Sequence, residues 1–197
     1  GASAGEDWLQ FKYDCRNSGD VPDRDVATPL GLAGAVGLTD AVLTAPVIAD
    51  GRIYVVDASG VAFSIHAETL KVVWKTATGR RTANHNNVSS PAVVGPYLHF
   101  GTTGGSYYVL DRASGRVVER IGCGEPIFSA PVVSQGRAYF ATLGSRVYAV
   151  EPDGTVCWVW DFVKEVLKFT GDRWDGRQWL EHAVARQQPE YAAGRVT

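Results

Sequence analysis

The residues of this chain whose types could support chemistry are few and scattered. The run Thr82-Ala83-Asn84-His85-Asn86-Asn87 holds one imidazole among amides, and an imidazole can ligate a metal or carry a proton. No second ligand lies near it in sequence, and asparagines suit turn backbone, so a solvated turn is expected. Asp20, Asp23 and Asp25 stand close together, and hard cations such as calcium take oxygen ligands. Their spacing is not that of an EF-hand, however, and Arg24 among them opposes a cation. Gly101-Thr102-Thr103-Gly104-Gly105 has neither the dinucleotide fingerprint nor the lysine of a phosphate loop, which leaves a strand-connecting turn. His66, His99 and His182 are isolated and read as packed or surface histidines. No serine nucleophile elbow, zinc-binding histidine pair or catalytic cysteine dyad is present, so no catalytic residue and no metal site is assigned.

The three cysteines, Cys15, Cys123 and Cys157, form neither a C-x-x-C nor a C-x-x-C-H, which argues against a redox dithiol, a zinc ribbon and an attached c-type haem. One disulfide with a free thiol, or three buried thiols, are both compatible with that count. A net charge of −2 supplies no basic field, so nucleic acid and anionic membrane surfaces are disfavoured as partners. No apolar run approaches the roughly 20 residues that span a bilayer. Ala2-x-Ala4 at the start matches the small-residue pattern before a secretory cleavage site, and an added vector-derived end would read the same.

The elements that must hold these residues emerge from an internal repeat. Ala45-Pro46-Val47-Ile48-Ala49-Asp50-Gly51-Arg52-Ile53-Tyr54 returns from Ser90-Pro91 to Phe100 and again from Ala130-Pro131 to Tyr139. The prolines are spaced by 45 and then 40 residues, a period of propeller blades. Each copy continues through a second apolar strand, a glycine turn, a third strand with an aromatic, a polar turn and a fourth strand. Short strands joined by glycine and Asp-Gly turns are antiparallel hairpins. Proline lacks an N–H, so each of Pro46, Pro91 and Pro131 sits best where a strand begins and no ladder bond is lost.

The run from Phe63 to Trp74 resembles the repeat of pyrroloquinoline-quinone (PQQ)-type propellers, as do Tyr108-Val109-Leu110-Asp111 with Ser114-Gly115-Arg116, and Tyr148-Ala149-Val150-Glu151 with Gly154 and Trp158. Trp8-Leu9-Gln10-Phe11 followed by Ser18-Gly19 resembles the opening of such propellers, and the likeness covers roughly residues 8 to 160. It implies an all-β fold: four-stranded antiparallel blades, about three of them plus a closing strand, for which Leu30 to Leu38 is the candidate. It also implies that Trp74 and Trp158 dock adjacent blades, and that Glu119, standing at the same place in the second copy, leaves that contact in question. Propellers close with about four to eight blades, so the remainder of the ring is expected from a longer protein or from another chain.

Beyond Trp160 the pattern changes. Gln178 to Arg186 places Trp179, Leu180, Ala183 and Val184 on one helical stripe, bounded by Gly176 and Pro189. The expected organisation is therefore an N-terminal arm with the closing strand (1–42), blades at 43–83, 84–126 and 127–168, and a helical insertion or terminal arm at 169–197. Trp174 and Trp179 in that arm are candidate partner contacts.

The family resemblance divides the functional expectation in two. The leading expectation is a non-catalytic scaffold or ligand-binding propeller without cofactor, partnered by other protein chains in a periplasmic, envelope or secreted assembly. The alternative is a PQQ- and calcium-dependent alcohol or sugar dehydrogenase. Two features of those enzymes, a vicinal cysteine pair and a recognisable asparagine, glutamate and aspartate set for calcium, are missing from these residues.

Overall fold

The computed structural model describes residues 7–21, 23–25, 28–79 and 86–185. His85, the small-residue start, Pro22, Pro189 and the tail from 186 lie outside the described residues.

Twelve strands form three four-stranded antiparallel sheets, each in simple sequential order. Blade one comprises β1 (Val47–Ala49), β2 (Arg52–Val56), β3 (Val61–His66) and β4 (Val72–Ala77). Blade two comprises β5 (Ala92–Val94), β6 (Tyr97–Gly101), β7 (Ser106–Asp111) and β8 (Val117–Gly122). Blade three comprises β9 (Val132–Ser134), β10 (Arg137–Ala141), β11 (Arg146–Val150) and β12 (Val156–Asp161). Pro46, Pro91 and Pro131 each stand immediately before their blade's first strand, where no ladder bond is given up. Asp50 and Gly51 both take positive φ, 47° and 70°, the backbone of a tight turn whose twist matches its flanking strands.

A hydroxyl two residues before each proline ties the incoming chain to the second strand of its own blade. Thr44 Oγ1 donates to Val56 O at 2.7 Å, Ser89 Oγ accepts from Gly101 N at 3.0 Å, and Ser129 Oγ bridges Ala141 N and O at 3.0 and 2.9 Å.

The third and fourth strands of every blade share an irregular register, shifting between Ser64 and Ile65, Val109 and Leu110, and Ala149 and Val150. Each shift leaves one residue of the fourth strand unpaired, and such bulges re-aim the side chains beyond them. The aligned rows that result are Tyr54, Ser64 and Trp74 in blade one, His99, Val109 and Glu119 in blade two, and Tyr139, Ala149 and Trp158 in blade three. Where the middle residue is small, the outer two rings approach over it, at 6.0 Å for Tyr54 and Trp74 and 6.1 Å for Tyr139 and Trp158.

The core lies in the seams between blades. Tyr54, Leu98, Phe100, Tyr108 and Leu110 fill the first seam, with Trp74 against them. Tyr107, Val109, Phe140, Tyr148 and Val150 fill the second, where Phe140 stacks on Tyr107 at 3.8 Å and on Tyr148 at 4.8 Å. Tyr107 and Tyr108 thus serve opposite seams, as alternation along a strand requires.

The N-terminal arm runs along blade one and across the first strands of all three blades. Val36 and Leu38 pack on Val55, Phe63 and Ile65, on the face turned away from blade two. Trp8 pairs with Ile48 through both backbone bonds, the next residue, Leu9, accepts from Val93 N at 2.7 Å, and the Gln10 side chain holds Val133 N at 2.7 Å and Val133 O at 3.3 Å. Ile48, Val93 and Val133 each lie two residues beyond their blade's proline. Three consecutive residues therefore cap the first-strand edge of three consecutive blades, groups that would otherwise lack partners.

After β12 the chain forms α1 (Phe162–Glu165), capped by Asp161, and α2 (Gly176–Ala185). Asp175 Oδ1 accepts from Arg177 N at 2.9 Å, so α2 begins at Gly176 and not after it.

Candidate functional site

Antiparallel order puts the link between blades and the turn between second and third strands at the same end of each blade. At that end of blade three lies a cleft of about 520 Å³, lined by residues 123–125, Arg146, Asp161, Val163, Lys164 and the arm from Phe169 to Trp174. The link that leaves β8 is laid across the neighbouring turns: Cys123 N donates to Gly105 O at 2.8 Å and Leu143 N to Pro126 O at 2.8 Å. This places the Glu125 carboxylate directly beside Gly144, where a Cβ would collide with it.

Glu125 is 6% exposed and accepts from Thr142 Oγ1 at 2.6 Å. Arg146 lies 3.1 Å from both Glu125 and Asp161, and Arg173 reaches the same pair at 3.5 and 2.5 Å while also donating to Gly144 O. Two carboxylates thus alternate with two guanidiniums, and Arg173 clasps the arm to the blade. Burial pushes the Asp161 carboxyl up, but hydrogen bonds from Arg173, Lys164 N and Arg146 outweigh it and hold the group down at about 2. Burial pushes the nearby Cys123 thiol up to about 11 and the Tyr148 hydroxyl up to about 12, so neither is an anionic nucleophile at neutral pH. The site is a charge-balanced, structured wall with an open cleft beside it.

The candidate aromatics of the arm separate. Trp179 stacks on Phe169 at 4.0 Å and its Nε1 donates to Arg173 O at 2.9 Å, so it builds the arm's own small core. Trp174 is 60% exposed at the cleft. Among the docking residues, Trp74 donates its Nε1–H to Arg112 O of blade two at 3.0 Å and lies where a Cβ on Gly115 would fall, 2.6 Å from the ring. Trp158, its counterpart in blade three, is 46% exposed. Glu119 packs its aliphatic stem on Gly154, so the second seam keeps the glycine contact without an indole. Cys15 and Cys157 are exposed and Cys123 buried, and none of the three is disulfide-bonded. Asp20 and Asp23 to Asp25 belong to the N-terminal arm, and among the described residues no three His, Cys, Asp or Glu side chains converge as a cation site would need.

The charged wall escapes sequence reading because its members come from four separate connections and strand ends. The hydroxyls at Thr44, Ser89 and Ser129 were accessible, since each stands at a fixed place before a repeated proline.

Sequential four-stranded blades, with a tryptophan of one seated on the glycine turn of the next, define a β-propeller of the PQQ-repeat class. The family model described as outer membrane protein assembly factor BamB matches residues 35–122 and 95–194, and the chain belongs to that family of quinoprotein-like repeat propellers. No curated protein is matched by the sequence. Among solved structures, the quinohemoprotein alcohol dehydrogenase ADHIIG of Pseudomonas putida HK5 is similar over 79% of this chain and 26% of its own, at 17% identity and a TM-score of 0.64. The europium-containing methanol dehydrogenase is similar over 80% of this chain and 32% of its own, at 16% identity and a TM-score of 0.64. BamB from Moraxella catarrhalis is similar over 62% of this chain and 38% of its own, at 18% identity and a TM-score of 0.53. The chain therefore spans well under half the length of each, and these likenesses describe the fold. No helix among the described residues is long and apolar enough to cross a membrane.

Proposed function

We propose that this chain is a non-catalytic part of a quinoprotein-like propeller that serves as a protein-interaction scaffold or ligand-binding module within an envelope assembly. The observation that carries the reading is Trp158. Its counterpart Trp74 is docked on a glycine turn of the next blade, whereas Trp158 presents the same indole, in the same row, at an open face with Trp160 also exposed on that side. A surface of this composition fits a further blade, in the same polypeptide or a partner chain, that offers a glycine turn and a backbone carbonyl. The arm beside it, with Trp174 at the cleft, supplies a second contact surface at the same end of blade three.

The test is co-purification of the chain with an identified partner or with the remaining blades, expressed separately. Trp158→Asp is expected to abolish association and Trp174→Ala to weaken it, with β-sheet circular dichroism unchanged. Association unaffected by either substitution would remove the reading. The fold likeness to two alcohol dehydrogenases supports the second reading, a PQQ- and calcium-dependent dehydrogenase. The described residues do not assemble a cation cage, so no reaction step is derived through either group. Saturable quenching of tryptophan fluorescence by PQQ with calcium, accompanied by dye-linked alcohol oxidation, would replace the scaffold reading.

A further inference from the structure

The two seams between blades use different chemistry at the same station. In the first, Trp74 Nε1 donates to the carbonyl of Arg112, the residue after Asp111 in the polar turn of blade two. The matching residue in the polar turn of blade three is Pro152, the residue after Glu151. Glu119 cannot reach that carbonyl as a donor, because an ionised carboxylate only accepts. The bond is made instead from the other end of the same row: His99 Nε2 lies 2.8 Å from Pro152 O. A carbonyl can only accept, so Nε2 carries the proton, and Nδ1 accepts from Tyr107 Oη at 3.3 Å. Burial pushes the Tyr107 hydroxyl well above its ordinary range, which keeps it a donor.

We propose that the seam between blades two and three is a proton-responsive joint, in which neutral His99 takes over the docking bond of the missing tryptophan and acidification loosens blade three, while the Trp74 seam does not respond.

The geometry supplies the reason. His99 is fully buried in the seam, and a protonated ring there would carry a charge away from water, with Nδ1–H directed at a hydroxyl that now donates to it. The charged groups facing it are the Asp153 carboxylate from blade three and Glu119 in its own row on β8; Tyr107 faces it from β7. Burial lowers the imidazole to about 4, and the Pro152 carbonyl and Asp153 oppose that shift without cancelling it. Opening the seam returns the ring to water and to its ordinary value near 6.5. The opened state therefore gains protons over the closed one as pH falls below about 6.5 and continues to do so down to about 4.

The experiment is amide exchange by mass spectrometry at pH 7.5 and 5.5, corrected for intrinsic exchange, on peptides from each seam. The opening constant of the second seam is expected to rise about tenfold between these values, with the first seam changing less than twofold. His99→Gln keeps a donor for Pro152 O but cannot titrate in this range, and should flatten the profile. So should His99→Tyr with Val109→Ser and Glu119→Trp, which installs the row of blade one. Equal responses of the two seams in the native protein would overturn the proposal even if neither variant folds. So would a His99 Cε1–H resonance that titrates with an ordinary midpoint.

Discussion

Replacing Arg173 by methionine would keep the aliphatic stem and delete the guanidinium that clasps the arm to blade three. The side chain is 15% exposed and its partners Asp161 and Glu125 are 16% and 6% exposed. Breaking a buried pair by removing one partner costs about 3–5 kcal/mol. Here Arg146 remains 3.1 Å from both carboxylates, Thr142 still donates to Glu125, and Asp161 still caps α1, so the loss should be smaller. A loss of about 2–3 kcal/mol in arm docking corresponds to roughly 30- to 150-fold faster exchange of arm amides in the native state. The blades do not depend on Arg173, so β1 to β8 should retain their protection. The same clasp sets an acid response. Asp161 is held at about 2 against an ordinary 3.8, so its contribution is complete above about pH 4 and is lost as pH falls toward 2. Allowing for solvent on its open side, that contribution is about 1–2 kcal/mol. Exchange of residues 162–185 in Arg173→Met as slow as in the native protein would refute the clasp, and loss of protection spread evenly over all three blades would refute its confinement to the arm.

Further expectations concern the blades. Trp74→Phe removes the indole N–H from Arg112 O and should cost about 1 kcal/mol in urea unfolding, with an unchanged m-value. Gly115→Ala should cost at least about 2 kcal/mol, since φ there is +75° and a Cβ would lie 2.6 Å from the Trp74 ring; in a Trp74→Ala background part of that cost should vanish. Gln10→Leu deletes both bonds to Val133 while keeping bulk, and should lower stability by about 1–2 kcal/mol and raise exchange at β9 more than at β1. An equal rise at both strands would show that the N-terminal segment does not act blade by blade.

The architecture was legible in the sequence because a blade repeats its punctuation. Pro46, Pro91 and Pro131 mark first strands, and the glycine turns and the Trp74 and Trp158 positions follow at near-constant offsets, each with a local physical reason. The fourth strands run to Ala77, Gly122 and Asp161, further than their apolar runs suggested, because ladder pairing with the third strand carries the polar ends along. What was not legible depends on partners remote in sequence. Glu119 marks a departure at the second seam, yet nothing in its vicinity reveals that His99 supplies the missing bond, since the two are related only through the register that aligns both with Val109. Arg173 reads as an ordinary charged residue of an arm until the fold brings it between Glu125 and Asp161.

These separate features converge on blade three. It carries the arm through the Arg173 clasp, it exposes Trp158, and it is joined to blade two by an imidazole where the preceding seam uses an indole. A seam held by Trp74 buries a large ring whose N–H does not titrate, so its strength is independent of pH across the physiological range. A seam held by neutral His99 depends on a group whose unperturbed value lies within that range. Since Asp161 is held at about 2 and stays ionised in mild acid, its bond to Arg173 should keep the arm on blade three while the second seam weakens. Blade three, its arm and its open face would then move as one body relative to blades one and two. The two exchange experiments separate these joints: mild acid should release the second seam with the arm still protected, and Arg173→Met should release the arm with that seam still closed.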